Sequence, residues 1–247
     1  MSDEQPTRVS RRQVLGGAAA LAGVSLAPGL FLVQAQAAGT GADSSVRWGL
    51  LVDTTRCPAD CEACVDACQA ENGWPTGEAT EHPQWIRKMV VGTGERDGAE
   101  QALPVMCQHC ADPPCVSVCP THASFKRDDG IVLVDKHRCI GCRYCMMACP
   151  FHARSFVDAP VTAHASEGNY PRGKGTVEAC TLCVHRIDRG EIPACVERCA
   201  QEGHAALVFG DLNDPDSEIR RALRERVATP LRGDLGLDPG VRYQGLS

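Results

Sequence analysis

A chain of 247 residues with a net charge of -6 and only 4% aromatic residues has room for one or two small domains, but little material for a large aromatic-rich core. Its acidic balance carries no electrostatic footprint for nucleic acid, so that class of partner is excluded. Sixteen cysteines stand where the aromatic residues do not, and they fall into four groups of four, at 57/61/64/68, 107/110/115/119, 139/142/145/149 and 180/183/195/199.

The N-terminus comes first in chain order. Ser10-Arg-Arg-Gln-Val-Leu-Gly16 carries a paired arginine, then a weakly apolar stretch rich in Gly and Ala, then Ala35-Gln-Ala37. This pattern reads as a twin-arginine export signal over residues 1–37 with an A-x-A cleavage site. The competing reading is an uncleaved anchor, since Gln13 to Val33 spans 21 residues. Without residues 1–37 the net charge is -7. No later apolar run is long enough to cross a bilayer, so membrane association is expected only through a partner. The expected compartment is the periplasm, at the periphery of the cytoplasmic membrane.

Residues 46–53 and 131–135 are short, branched and apolar, which predicts strands. Each feeds a cysteine group through nearly the same text, Leu50-Leu-Val-Asp-Thr-Thr-Arg-Cys57 and Val132-Leu-Val-Asp-Lys-His-Arg-Cys139, identical at five of eight positions. A short helix is expected after each cysteine loop. The second and fourth groups also correspond, because each opens with C-x2-C and closes with Pro, Cys, Val and a final cysteine. The chain therefore reads as a duplicated two-cluster unit. Residues 71–83, 92–100 and 158–176 are predicted loops, Asp216 to Arg226 a helix with a capping acid, and the last twenty residues an irregular tail.

Three chemistries compete for grouped cysteines: disulfides, zinc and iron–sulfur clusters. Disulfide scaffolds spread their cysteines so that each bridge closes a loop, whereas three thiols at two-residue gaps wrap a common centre. The group at 180–199 taken alone also suits structural zinc. The run C-x2-C-x2-C-x3-C-P at 139–150 matches the bacterial ferredoxin pattern, in which the fourth cysteine ligates the neighbouring cluster. Iron already bound as thiolate before export also keeps the thiols from pairing in an oxidising compartment.

The second and third groups both end in Cys-Pro with 19 residues between them, which makes them a local pair, and the first and fourth pair by elimination. The expected ligand sets are Cys107, Cys110, Cys115 with Cys149; Cys139, Cys142, Cys145 with Cys119; Cys57, Cys61, Cys64 with Cys199; and Cys180, Cys183, Cys195 with Cys68. Four complete [4Fe-4S] clusters have no open iron for substrate, which points to electron transfer and to no catalytic residue. No G-x-G-x-x-G fingerprint or C-x-x-C-H haem attachment is present, and the histidine of Cys107-Gln-His-Cys110 falls inside its pair. His109, His122, His152 and His185 are candidates to tune cluster potentials or simply turn histidines. Lys126, Arg127 and Lys136 read as solvated charges or a docking patch, and Trp48, Trp74 and Trp85 as loop packing.

On these motifs residues 46–215 resemble the four-cluster iron–sulfur subunits of membrane-linked oxidoreductases, including the B subunits of dimethyl sulfoxide, polysulfide and tetrathionate reductases. The text CPADCEACVDACQAEN, PQWIRK, LPVMCQHCADPPC, FKRDDGIVLVDKHRCIGCRYCMMACP and VFGDLNDPDSEI is most similar to the DsrO-type periplasmic subunits of the Dsr membrane complex of sulfur metabolism. Nitrite-reductase B-type subunits share much of it. The resemblance implies an α+β fold of two bacterial-ferredoxin-like halves, residues 46–106 with 177–210 and residues 107–157, followed by a C-terminal helix and tail at 211–247. It implies the same cluster pairing. Its implied partners are an integral membrane quinone-interacting subunit of the polysulfide-reductase type, a multihaem cytochrome c and the other Dsr complex subunits. The extra residue in Cys57-Pro-Ala-Asp-Cys61 departs from the usual C-x2-C opening.

Overall fold

The computed structural model describes residues 42–74, 83–92, 100–159 and 173–246, together with two short strands nearer the N-terminus. The expected export signal, apart from those strands, and most of the three predicted loops lie outside the described residues. Met1–Ala38 and Gly39–Ser247 are separate units. In the first, β1 (Ser25–Ala27) pairs antiparallel with β2 (Leu30–Phe31).

The second unit is built from four strand–cysteine–strand segments. They are β3 (Trp48–Asp53) to β4 (Ile86–Gly92), β5 (Glu100–Met106) to β6 (Ser124–Lys126), β7 (Val132–Val134) to β8 (Arg154–Phe156), and β9 (Val177–Ala179) to β10 (Leu207–Asp211). The closing strand of each segment pairs antiparallel with the opening strand of the next, and β10 returns to pair with β3. The predicted strands at 46–53 and 131–135 are β3 and β7. Leu50, Leu51 and Val52 of β3 are all buried, which explains an unbroken apolar run in a strand flanked on both sides.

Helices follow the cysteines. They are α1 (Ala63–Asn72), α2 (Pro114–Ser117), α3 (Tyr144–Met147), α4 (Val184–Ile187) and α5 (Ala194–Gln201). α6 (Glu218–Glu225) falls inside the predicted helix, but Ser217 caps it, its hydroxyl accepting from Arg220 N–H at 3.3 Å, in place of the acid at 216.

The irregular tail is not what the chain makes. After β11 (Ala228–Thr229), β12 (Val241–Gln244) enters the sheet parallel to β3, giving the order β10-β3-β12-β11. The glycines and prolines before it form only the connection, while Val241 and Tyr243 alternate inward at a strand's period of two. The Tyr243 hydroxyl donates to the Pro104 carbonyl and accepts from Gln108 Nε2, both at 3.1 Å. Tyr243→Phe leaves that carbonyl without its donor and is expected to cost about 1–2 kcal/mol, read as a lower midpoint in anaerobic denaturation with iron content unchanged.

The three basic residues read as solvated are engaged. Lys126 Nζ donates to the Ala111 carbonyl at 2.6 Å, and Lys136 Nζ to the Val177 carbonyl at 2.7 Å. Arg127 bridges Asp129 and Asp188, at 2.8 and 2.7 Å. They tie hairpins to the cysteine loops because the fold places carbonyls and carboxylates within reach of their long stems.

Candidate metal centres

Cys64 and Cys68 lie four apart on α1, as Cys195 and Cys199 do on α5, and the two helices pack together. Four residues of helix advance a side chain about 6 Å along one face, so each helix offers one thiol at each of two depths. The structure uses both. One small hollow is lined by Cys68, Cys180, Cys183 and Cys195, and another by Cys57, Cys61, Cys64 and Cys199.

The short helices α2 and α3, which pack on each other, repeat the arrangement. A small hollow is lined by Cys119, Cys139, Cys142 and Cys145. Cys107, Cys110, Cys115 and Cys149 form the fourth set, in which Cys115 and Cys149 bear electrostatically on both Cys107 and Cys110. Three hollows are thus each lined by four cysteines, and the remaining four cysteines lie near one another.

These holes suit a cluster and not one ion. Zinc at about 2.3 Å from each thiolate would draw its sulfurs to about 3.8 Å from one another. Among the described residues no three Cys, His, Asp or Glu side chains converge in that way. Donors also point at the sulfurs, as a [4Fe-4S] site requires: Ser124 N–H to Cys119 Sγ at 3.3 Å, Leu182 N–H to Cys180 Sγ at 3.4 Å, Ala206 N–H to Cys199 Sγ at 3.3 Å and Asn72 Nδ2 to Cys68 Sγ at 3.5 Å.

Burial pushes the thiols of Cys64, Cys107 and Cys110 up to about 12 and that of Cys183 to about 11, and it holds Cys68 and Cys195 well above the ordinary range. Such thiols ionise at neutral pH only against a positive centre, which iron supplies on binding. Cys119 differs. Burial raises it too, but the Ser124 N–H and the Thr121 hydroxyl outweigh that, and its thiol sits below the ordinary value.

The four candidate histidines separate by position. His122 and His152 are exposed, at φ 52° and 48°, two residues after each Cys-Pro, and serve as left-handed turn residues. His109 is buried, its Nδ1 accepting from Val132 N–H at 3.0 Å, and His185 Nε2 meets Glu71 Oε1 at 2.7 Å. Trp48 stacks on Phe209 with centroids 5.0 Å apart, and buried Trp85 donates to Glu178 at 3.1 Å.

Sequence reasoning passed over several residues that shape the sites. Lys88 on β4 donates to the carbonyls of Pro58 at 2.5 Å, Ala59 at 2.9 Å and Cys61, so the extra residue at 57–61 makes a carbonyl nest for one ammonium. Arg154, at the start of β8, is buried beside Cys107, Cys115 and Cys145. Gly141 sits at φ 71°, and a Cβ there would lie 2.3 Å from the Gly175 carbonyl oxygen. Gly141→Ala combines about 1–3 kcal/mol of backbone strain with that clash, and is expected to lose the iron of the Cys139 set, measured as iron per chain.

Comparison with known proteins agrees with this chemistry. Residues 99–211 match the 4Fe-4S dicluster domain family. The chain is 47% identical over 225 residues to the Hdr-like menaquinol oxidoreductase iron-sulfur subunit 1 of Archaeoglobus fulgidus, covering 81% of this chain and 84% of that protein. It is 39% identical to the B subunit of tetrathionate reductase from Salmonella typhimurium, over 81% of this chain and 73% of the relative. It is 36% identical to protein NrfC of Escherichia coli, over 93% and 92%. With similarity of this depth along most of its length, the chain belongs to the family of ferredoxin-like [4Fe-4S] electron-transfer subunits of oxidoreductase complexes.

Proposed function

We propose that this chain is a periplasmic relay of four [4Fe-4S] clusters, passing electrons between a quinone-interacting membrane subunit and redox partners of sulfur metabolism. The observation that carries the reading is the set of four separate thiol quartets in one chain, with Cys142 the exposed member of the one nearest the surface. Each cluster, when bound, takes up and releases one electron. The chain's own residues hold the iron as thiolate, direct N–H groups at the sulfurs and exclude water from most ligands. The proposed ligand sets are the four groupings described above.

Two ferredoxin-like halves, one with the first and fourth cysteine groups and one with the second and third, are supported by the four strand–cysteine–strand segments and by the near-copied text before Cys57 and Cys139. Export is supported by the Arg11-Arg12 signal. Among the described residues no helix is long and apolar enough to cross a membrane, which favours attachment through a partner. A partner of the polysulfide-reductase membrane type is consistent with relatives named as menaquinol oxidoreductase and menaquinone reductase subunits. DsrO-type membership, with a multihaem cytochrome c and further Dsr complex subunits, rests on the motif text quoted above. A second reading, the B subunit of a molybdopterin reductase or of a nitrite-reductase donor complex, is favoured by the likeness to the tetrathionate reductase relative and to NrfC.

The test is anaerobic iron and acid-labile sulfide analysis with redox-titrated EPR on protein exported by its own signal, and identification of the membrane subunit that co-purifies. About sixteen irons per chain, four for each set of four cysteines, with interacting signals is the expected result. Zinc, or iron for fewer than four clusters, contradicts the relay. A molybdopterin subunit in the purified complex would select the second reading.

A further inference from the structure

Arg154 is 5% exposed, and both of its terminal nitrogens lack a hydrogen-bond partner that meets ordinary geometry among the described residues. Two unpaired guanidinium nitrogens in a protein interior are costly unless something anionic faces them. No carboxylate among the described residues does. The negative groups around Arg154 are the sulfurs of Cys107 and Cys115 from one quartet and of Cys145 from another. The guanidinium therefore bears on both quartets of the α2–α3 half.

Other cations near the cysteines are already engaged. Lys88 is held by three carbonyls, Arg143 lies 3.8 Å over the Phe156 ring, and Lys136 binds the Val177 carbonyl and stands 3.7 Å from Glu178. The backbone adds a reason for the placement. Arg154 opens the strand five residues after Cys149, where Ser124 opens the strand five residues after Cys119. Ser124 turns its N–H toward sulfur from that position, while Arg154 brings a full charge to it.

We propose that Arg154 is the shared positive charge of the two clusters in the α2–α3 half, raising both reduction potentials so that electrons collect there between the outer pair and the protein surface. A [4Fe-4S] cluster with four thiolates is an anion, and reduction adds one electron to it. A buried cation stabilises the more negative form at both centres, and the low local dielectric makes that stabilisation strong. This inference rests on the four ligand sets proposed above.

The test compares wild type, Arg154→Gln and Arg154→Lys by EPR-monitored redox titration, with iron counted in each sample. The wild-type iron count and signals test the cluster assignment by themselves. In fully loaded R154Q, two of the four midpoints are expected to fall while the other two stay, and R154K is expected to keep the wild-type set. Four unchanged midpoints in loaded R154Q overturn the proposal, as does a shift confined to one centre. If R154Q does not load, R154K decides: loading with wild-type midpoints supports the charge, whereas failure or lowered midpoints in R154K assigns the residue to shape and overturns it.

Discussion

Removing the iron from this chain is expected to unfold it. Eleven of the sixteen cysteines are buried, and ten of them sit in the same packed cluster as Leu50, Val52, Ile86, Met106 and Tyr243. With 4% aromatic residues there is little other bulk to close over the cavities. Core volume left empty costs about 24 cal/mol per Å³, and the whole stability of an ordinary domain is only about 5–15 kcal/mol. Binding energy here is folding energy, as in small metal domains.

Anaerobic chelation should therefore lose the far-UV circular dichroism and shift the emission of buried Trp74 and Trp85 to the red. An iron-free chain that kept both signals would contradict the argument. One site can be probed with Cys195→Ala, which removes a fully enclosed thiol from the Cys68 quartet. It is expected to lose at least four irons per chain, the content of one cluster, and to lower the yield of exported protein.

The second large effect is expected at the surface beside Cys142. Ile140 is 67% exposed, Tyr144 53% and Met147 73%, three large apolar side chains within eight residues of chain around the one exposed cysteine. A cluster edge that reaches solvent between apolar side chains is suited to docking, because a partner can cover it and exclude water. An Ile140→Asp, Met147→Asp double variant is expected to retain its iron and its four midpoints but to bind the membrane subunit at least 30-fold more weakly, a loss of about 2 kcal/mol typical of an interface anchor. Electron exchange with quinol would fall in step. Unaltered exchange in the loaded variant would move the docking face elsewhere.

Local features of the chain were readable without coordinates because they depend on neighbours. The branched apolar runs before Cys57 and Cys139 make strands, and the spacing of four between the last cysteines of each group puts thiols at two depths of a helix. Cys-Pro followed by His122 or His152 turns in a left-handed residue at both places. The four cysteine groups were legible for the same reason, as each is a local stretch of the chain.

Residues whose role depends on distant contacts could not be read so. Lys136 looked like a solvated charge until β9 brought the Val177 carbonyl to it across 41 positions, and Tyr243 looked like part of a loose tail until Pro104 and Gln108 met its hydroxyl. Asn72, Lys88 and Arg154 carried no motif, since what a donor or a cation faces is defined by direction and burial. By itself the sequence determined the chemistry of this protein: sixteen thiols at ferredoxin spacing, with strands to carry them. The tertiary structure alone decided which charges face those thiols and that β12 completes the central sheet, because charge proximity and strand order are long-range properties that local spacing does not encode.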